Sequence, residues 1–202
     1  MTQSTTDASG PRSAPLYRQA QEWLRPALSA GNDWALDATC GNGHDTLFLC
    51  QTLLNDARVM AFDLQQPALA NTRERLAANG FRPSLHQVHH ADFEEFLTLH
   101  SISSVSAAIF NLGYLPGGDH SVLTRPDSTS AAIQAILRRA SSHFRLSVVA
   151  YRGHPGGPEE AHQIQSLLQR EDSQRYWFTH LEGSNRDTGP IFLGLSTLSL
   201  PA

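Results

Sequence analysis

The chain has 202 residues, 40% of them hydrophobic and 17% charged, which is enough for one full core but cramped for two. Fifteen basic residues, all of them arginine, and 19 acids leave a formal charge of −4, so no global attraction to nucleic acid is expected. No apolar run reaches the ~20 residues of a membrane span, and no membrane association is expected.

Residues 1–15 are polar and lack an apolar centre. They read as a disordered tail rather than a secretory signal, which leaves residues 16–202 as one domain. Leu16–Leu28 has helical spacing of Trp23, Leu24 and Leu28, and Pro26 is expected to kink or end that helix. Trp34–Asp37 is a short buried strand ending at an acid. Gly41-Asn-Gly43 makes a turn, and residues 44–54 fit a helix. Residues 58–63 form a second strand, again ending at an acid, Asp63. A helix over 67–79 follows, with Pro67 in its first turn and Asn79-Gly80 as its stop.

A third strand is expected over 85–90, then Asp92 and a short helix through Leu99. Residues 105–110 are a buried strand that runs into Asn111. A long loop over 113–127 precedes a helix at 129–141. Residues 145–151 form a strand, 152–158 a loop and 158–170 a helix. Two closing strands, 175–181 and 191–198, pair antiparallel at one edge. Strands alternating with helices imply a mostly parallel sheet covered on both faces, with ligands beyond the carboxyl ends of its strands. Asp37, Asp63, Asp92, Asn111 and Tyr151 all fall at or just past such ends.

Asp37-Ala-Thr39-Cys-Gly41-Asn42-Gly43 has the form D-x-x-x-G-x-G. Glycines there let backbone approach a ligand, and the helix opening at His44 offers free N–H groups. Asp63 is placed to accept from ribose hydroxyls. Asp92 could accept from an adenine amino group, with Phe93 against the ring. Two cofactors compete, a dinucleotide and S-adenosylmethionine. The third small residue that a pyrophosphate site needs is Thr46 here, which favours S-adenosylmethionine.

Asn111-Leu-Gly-Tyr114 has the N-x-x-Y shape of the Asn/Asp-Pro-Pro-Tyr/Phe motif of amino-methyltransferases, with Leu-Gly replacing Pro-Pro. An amide oxygen and backbone carbonyls can accept from an amine, and a tyrosine can stack on a planar base. The loop Leu115-Pro-Gly-Gly-Asp119-His120 could cover a substrate. In Tyr151-Arg152-Gly-His154-Pro, the arginine suits phosphate and the histidine could move a proton. Between His120 and Gly153 five arginines, Arg125, Arg138, Arg139, Arg145 and Arg152, stand against one acid, Asp127, and could meet RNA phosphates. Cys40 and Cys50 lack paired spacing, so no disulfide framework or cysteine metal site is expected; free thiols fit a cytoplasmic protein.

Together these segments resemble the tRNA 5-aminomethyl-2-thiouridine methyltransferase family. The carrying strings are Asp37-Ala-Thr-Cys-Gly-Asn-Gly-His-Asp-Thr46, Phe62-Asp-Leu-Gln65, Phe110-Asn-Leu-Gly-Tyr-Leu-Pro-Gly-Gly-Asp-His120 and Tyr151-Arg-Gly-His-Pro-Gly-Gly-Pro-Glu-Glu160. The resemblance implies an α/β, Rossmann-like class I methyltransferase of seven strands, using S-adenosylmethionine on the aminomethyl group of a tRNA wobble uridine. It carries cofactor contacts onto the Asp37–Thr46 string (Thr39, His44 and Asp45 included), Asp63, Gln65 and Asn111. Asn111 and the Leu112 carbonyl would orient the amine, Tyr114 would pack beside the uracil, and Asp119 or His154 would take the proton. A homodimer is expected from the fold family. Arg152 and Gly189-Pro190 depart from the family's pattern.

Overall fold

The computed structural model describes residues 14–29, 33–53, 58–119, 121–183, 185 and 188–198. Residues 1–13, most of the expected tail, and His120 lie outside them. The elements in chain order are α1 (Leu16–Leu28), β1 (Trp34–Asp37), α2 (His44–Leu53), β2 (Val59–Asp63), α3 (Gln66–Ala78) and β3 (Ser84–Gln87). After a 3-10 turn (His90–Asp92) come α4 (Phe93–Leu99), β4 (Val105–Leu112), α5 (Pro126–Leu137), β5 (Ala140–Ala150), α6 (Gly157–Gln169), β6 (Tyr176–Glu182) and β7 (Ile191–Thr197).

The seven strands make one sheet in the order β3-β2-β1-β4-β5-β7-β6. β1 to β5 run parallel, and β7 lies antiparallel between β5 and β6. This is the Rossmann-like order that the resemblance implies. The chain winds outward from β1 through β2 to β3, then returns to β4 beside β1. The two halves part there, and the carboxyl ends of β1 and β4 open a crevice between diverging connections.

Alternation along the strands sends side chains to two cores. Leu36, Ala108 and Phe110 join Phe62, Phe93, Ile133, Ile136 and Ile164 under α4, α5 and α6. Ala35, Ala107 and Ile109 join Leu24, Phe48, Leu49 and Leu76 under α1, α2 and α3. α1 is clamped on the sheet by Trp23. Its indole Nε1 donates to Leu146 O at 3.0 Å, and the Arg145 guanidinium sits 4.6 Å over its ring while donating to Trp23 O at 2.8 Å.

Several boundaries differ from the sequence reading. Pro26 lies inside α1, two residues before its end, where its missing N–H costs only one late bond. α5 starts at Pro126, because proline suits a first turn, and it stops at Leu137. Residues 140 and 141 therefore belong to β5 and not to the helix, and the strand begins five residues before the expected 145. The third strand ends at Gln87, and His90 enters the 3-10 turn. No helix of the described residues is long and apolar enough to cross a membrane. Trp23→Ala should undock α1 and cost about 3 kcal/mol of unfolding free energy in a urea titration; a loss well under 1 kcal/mol would show that the clamp is dispensable.

Candidate active site at the carboxyl edge of the sheet

A cavity of about 1480 Å³ opens where β1, β2, β4 and β5 end. Small-molecule sites are commonly ~300–1000 Å³, so there is room for two ligands side by side. The β1–α2 loop forms its floor. Asp37, fully buried, accepts from the Thr39 N–H at 3.2 Å and the Thr46 hydroxyl at 2.6 Å. Gly41 and Gly43 have φ of +50° and +78°, conformations that suit glycine. A Cβ on Gly43 would stand 2.8 Å from Thr72 Cα, so α3 packs directly against the turn. Arg75 Nε and Asn71 Nδ2 then donate to Asn42 O and Oδ1, at 2.6 and 2.9 Å.

Asp63 at the end of β2 accepts from Gly41 N at 3.0 Å and Gln65 N at 2.9 Å. Both are backbone donors on the cavity rim. Burial pushes its carboxyl above the ordinary range. Beside it, Leu64 is 43% exposed and faces the same cavity with Val88 and His89. A carboxylate next to an apolar slot suits a nucleoside, with sugar hydroxyls donating to the acid and the base lying on the aliphatic wall. Thr39, Gly41, Asn42, His44, Asp45 and Gln65 also line the cavity. Asp37, Gly43 and Thr46 do not; they are packed beneath the loop and hold its shape.

The β4 end forms the other wall. Asn111 N donates to Thr39 Oγ1 at 2.6 Å, and Asn111 Nδ2 donates to Asp45 Oδ2 at 2.6 Å. Tyr114 and Tyr151, each 43% exposed, face the cavity. His154 lines it as well, with its ring edge-on to Tyr114 at 6.0 Å. Nδ1 of His154 lies 3.1 Å from Pro155 O, an acceptor, so Nδ1 carries the proton and Nε2 presents a lone pair. That Nε2 is buried and has no hydrogen-bond partner among the described residues. It packs by the backbone of Gly113, where a Cβ would come within 3.4 Å.

A buried acid supports these loops from behind. Glu160 accepts from the hydroxyls of Thr124 at 2.6 Å and Thr129 at 2.8 Å. Thr124 closes the neck of the 113–124 loop, accepting from Gly113 N at 3.0 Å and donating its own N–H to Gly113 O at 3.2 Å. His90 Nε2 meets Ala38 O at 2.9 Å, which ties the 3-10 turn to the β1–α2 loop.

Several sequence expectations fall elsewhere. Phe93 is 1% exposed and packs on Phe62 at 4.8 Å, so it is a core residue and not a wall for adenine. The 3-10 turn rotates Asp92 to the exposed surface, off the cavity. Asp119 is exposed and accepts from the N–H and hydroxyl of Ser121 at 2.8 and 2.7 Å; it does not line the cavity. Arg138 and Arg139 follow α5 at the amino edge of the sheet, both paired with Glu94. The eight residues of β4, roughly 20 Å at a strand's rise, separate them from the site. Arg152 Nε donates to Gly189 O at 2.8 Å, joining two loops, and Arg125 is exposed beside a smaller cleft. His120 lies outside the described residues. Tyr17, Gln21, Leu64, Val88 and His89 were not anticipated. Leu64 alone carried a readable signal, following the acid of β2.

The family model described as "Putative rRNA methylase" matches residues 59–196, about two thirds of the chain, and the chain belongs to that family. It is 35% identical over 145 residues to the chloroplastic tRNA (mnm(5)s(2)U34)-methyltransferase of Arabidopsis thaliana. That alignment covers 67% of this chain and 52% of the plant protein, so the chain spans about half the length of this curated relative. A "putative rRNA-methylase" from Clostridium thermocellum superposes with a TM-score of 0.83 at 29% identity, covering 92% of this chain and 98% of that one. A "putative methyltransferase" from Streptococcus mutans, solved in complex with SAH, gives 0.79 at 32% identity, with 92% and 99% covered.

Burial above all, and then the negative charge of Asp45, push the Asp37 carboxyl up to about 8 despite the Thr46 hydrogen bond. In the unfolded chain an aspartate titrates near ~4. Between the two values the unfolded chain gives up a proton that the folded chain keeps, so folding loses ground as pH rises. Measured against Asp37→Asn, the unfolding free energy of the unliganded protein should fall from about pH 5 to about 8 and level off above; parallel curves would rule out the buried proton.

Proposed function

We propose that the chain is an S-adenosylmethionine-dependent N-methyltransferase acting on RNA, and that its acceptor is the aminomethyl group of a tRNA wobble uridine. The observation that carries this reading is Asn111, an amide at the end of β4 in the wall of a two-ligand cavity, followed by Tyr114. The names of the relatives supply the class: methylase for the family, SAH for the Streptococcus protein, U34 for the plant protein. Such an enzyme would work where tRNA is modified, here taken as the cytoplasm.

The residues present suit this cofactor. Asp63 would hold ribose hydroxyls, Leu64 and Val88 would flank the adenine, and the Thr39–His44 loop would hold the amino-acid end at the start of α2. Bound there, S-adenosylmethionine would supply an electrophilic methyl group and a thioether leaving group for transfer to nitrogen.

The chain's own work is positioning and proton handling. An alkylammonium has a pKa near ~10 and no lone pair while protonated, so the acceptor must lose a proton before it reacts. Asn111 Oδ1 accepts an N–H bond and aims the nitrogen; the Leu112 carbonyl, expected to share that task, accepts from the Tyr151 N–H at 3.1 Å. Tyr114 and Tyr151 offer ring faces to the base. His154 lines the cavity and is the residue assigned to take the acceptor's proton; its Nδ1 is committed to Pro155 O, and its Nε2, packed between Gly113 and Gly157, must be uncovered by a shift of the 151–157 loop to do so.

Two measurements test this. Mass spectrometry of tRNA nucleosides from a strain lacking the gene should show 5-aminomethyl-2-thiouridine accumulating at the expense of its methylated form. Unchanged methylated wobble uridine, in a strain without a second such enzyme, would overturn the assignment. In the purified enzyme, His154→Ala should lower kcat on tRNA by about 100-fold. A kcat equal to wild type would remove His154 from the mechanism.

A further inference from the structure

We propose that Asp45 is the positioning residue that fixes the direction of the Asn111 side chain, so that the side chain presents a hydrogen-bond acceptor to the cavity and favours a methyl acceptor that donates. This rests on the reading that Asn111 meets the acceptor.

The argument is donor and acceptor arithmetic. Asp45 receives two bonds of 2.6 Å, from Gln21 Nε2 to Oδ1 and from Asn111 Nδ2 to Oδ2. An ionised carboxylate only accepts. The amide nitrogen of Asn111 must therefore face Asp45, and the amide oxygen must face away. The backbone N–H of Asn111 is also committed, to Thr39 Oγ1 at 2.6 Å. Asn111 lines the cavity, so what it offers there is an acceptor, Oδ1. An unrestrained asparagine could turn its amide over and offer N–H instead, which would occupy an amine's lone pair and so block its attack. Asp45 removes that choice.

The support for Asp45 is built in. It sits in the first turn of α2, where the helix dipole favours a negative charge. Gln21 holds its other oxygen from α1, the helix clamped to the sheet by Trp23. Three segments 24 and 66 residues apart thus converge on one carboxylate, and the register is passed from α1 to Asp45 to Asn111.

The test is a swap. Asp45→Leu removes the restraint, and Asn111→Asp sets two carboxylates against each other. Each should lower kcat on tRNA at least about tenfold, the order expected for one charge-assisted hydrogen bond, while the Kd for SAH stays within about threefold. The double variant Asp45→Asn/Asn111→Asp restores one donor and one acceptor across the contact, leaves an oxygen facing the cavity, and keeps an acceptor for Gln21. It should recover kcat to within about threefold of wild type. A merely structural pair would show no such recovery. Full kcat in Asp45→Leu, a double variant no better than Asn111→Asp, or an SAH affinity that falls in step with kcat would overturn the proposal. If Asp45→Leu does not fold, the comparison of Asn111→Asp with the double variant decides alone. If the wild-type enzyme leaves wobble uridine unmethylated, the functional reading fails, and the proposal is judged by side-chain amide exchange. Slow exchange of the Asn111 amide hydrogens that becomes fast in Gln21→Ala or in Asp45→Leu supports it. Fast exchange in the wild type overturns it.

Discussion

Asp37 ends β1 with a carboxyl group that reaches no solvent. Burying it is costly unless its oxygens are bonded, and the bonds it makes are local: the Thr39 N–H and the Thr46 hydroxyl. These two partners bracket the β1–α2 loop, so satisfying one acid fixes the path of the whole turn. Thr39, so placed, receives the Asn111 N–H across the crevice, and the first turn of α2 presents Asp45 to the Asn111 side chain. The Asp63 side and the Asn111 side of the cavity therefore take their relative position from one buried group. The same burial explains why Asp37 itself stays off the cavity wall while residues two to eight positions later line it.

A second buried acid does the equivalent work on the far side. Glu160 lies in the first turn of α6 and is 1% exposed. It takes both threonine hydroxyls that flank the start of α5, and one of these, Thr124, closes the neck of the 113–124 loop. Burial raises its carboxyl above the usual range, against the lowering effect of those hydrogen bonds. The loops at the carboxyl edge are thus pinned at their roots by acids behind the cavity, while their exposed tips, such as Tyr114 and Asp119, face solvent or the site. Rigid roots with adaptable tips suit a site that, on the proposed function, would admit an RNA and still aim one nitrogen.

The sequence was most readable where a local rule sufficed. Strands ending in acids, a glycine turn before His44 and a proline opening α3 are short-range signals, and a mostly parallel sheet follows from alternation of strands and helices. The misses have a common physical origin. A 3-10 turn of three residues changes where successive side chains point, so Phe93 went into the core and Asp92 outward although both follow a strand as expected. α5 ends before the expected 141 because 138–141 can satisfy helical spacing and only pairing with β4 decides otherwise. The Gln21–Asp45–Asn111 contact spans separate elements and leaves no periodicity to detect.

The arginines recast the charge problem. Arg145 stacks on Trp23 and bonds its carbonyl. Arg75 holds Asn42, Arg152 holds Gly189, and Arg139 with Arg138 clamps Glu94, whose carboxyl those hydrogen bonds draw down to about 2. Each of these guanidiniums reaches a carbonyl or carboxylate from a different element, a task for which a planar fork with several donors suits better than an ammonium. Much of the basic charge is therefore structural, and a count of arginines along the chain overstates what RNA could meet. In the proposed function the cavity would supply the complementary part of recognition, its half-exposed tyrosines and oriented amide meeting a base and an amine rather than a run of phosphates. An acidic chain can serve an RNA substrate on those terms, because affinity then rests on one extruded nucleotide more than on the field of the whole molecule.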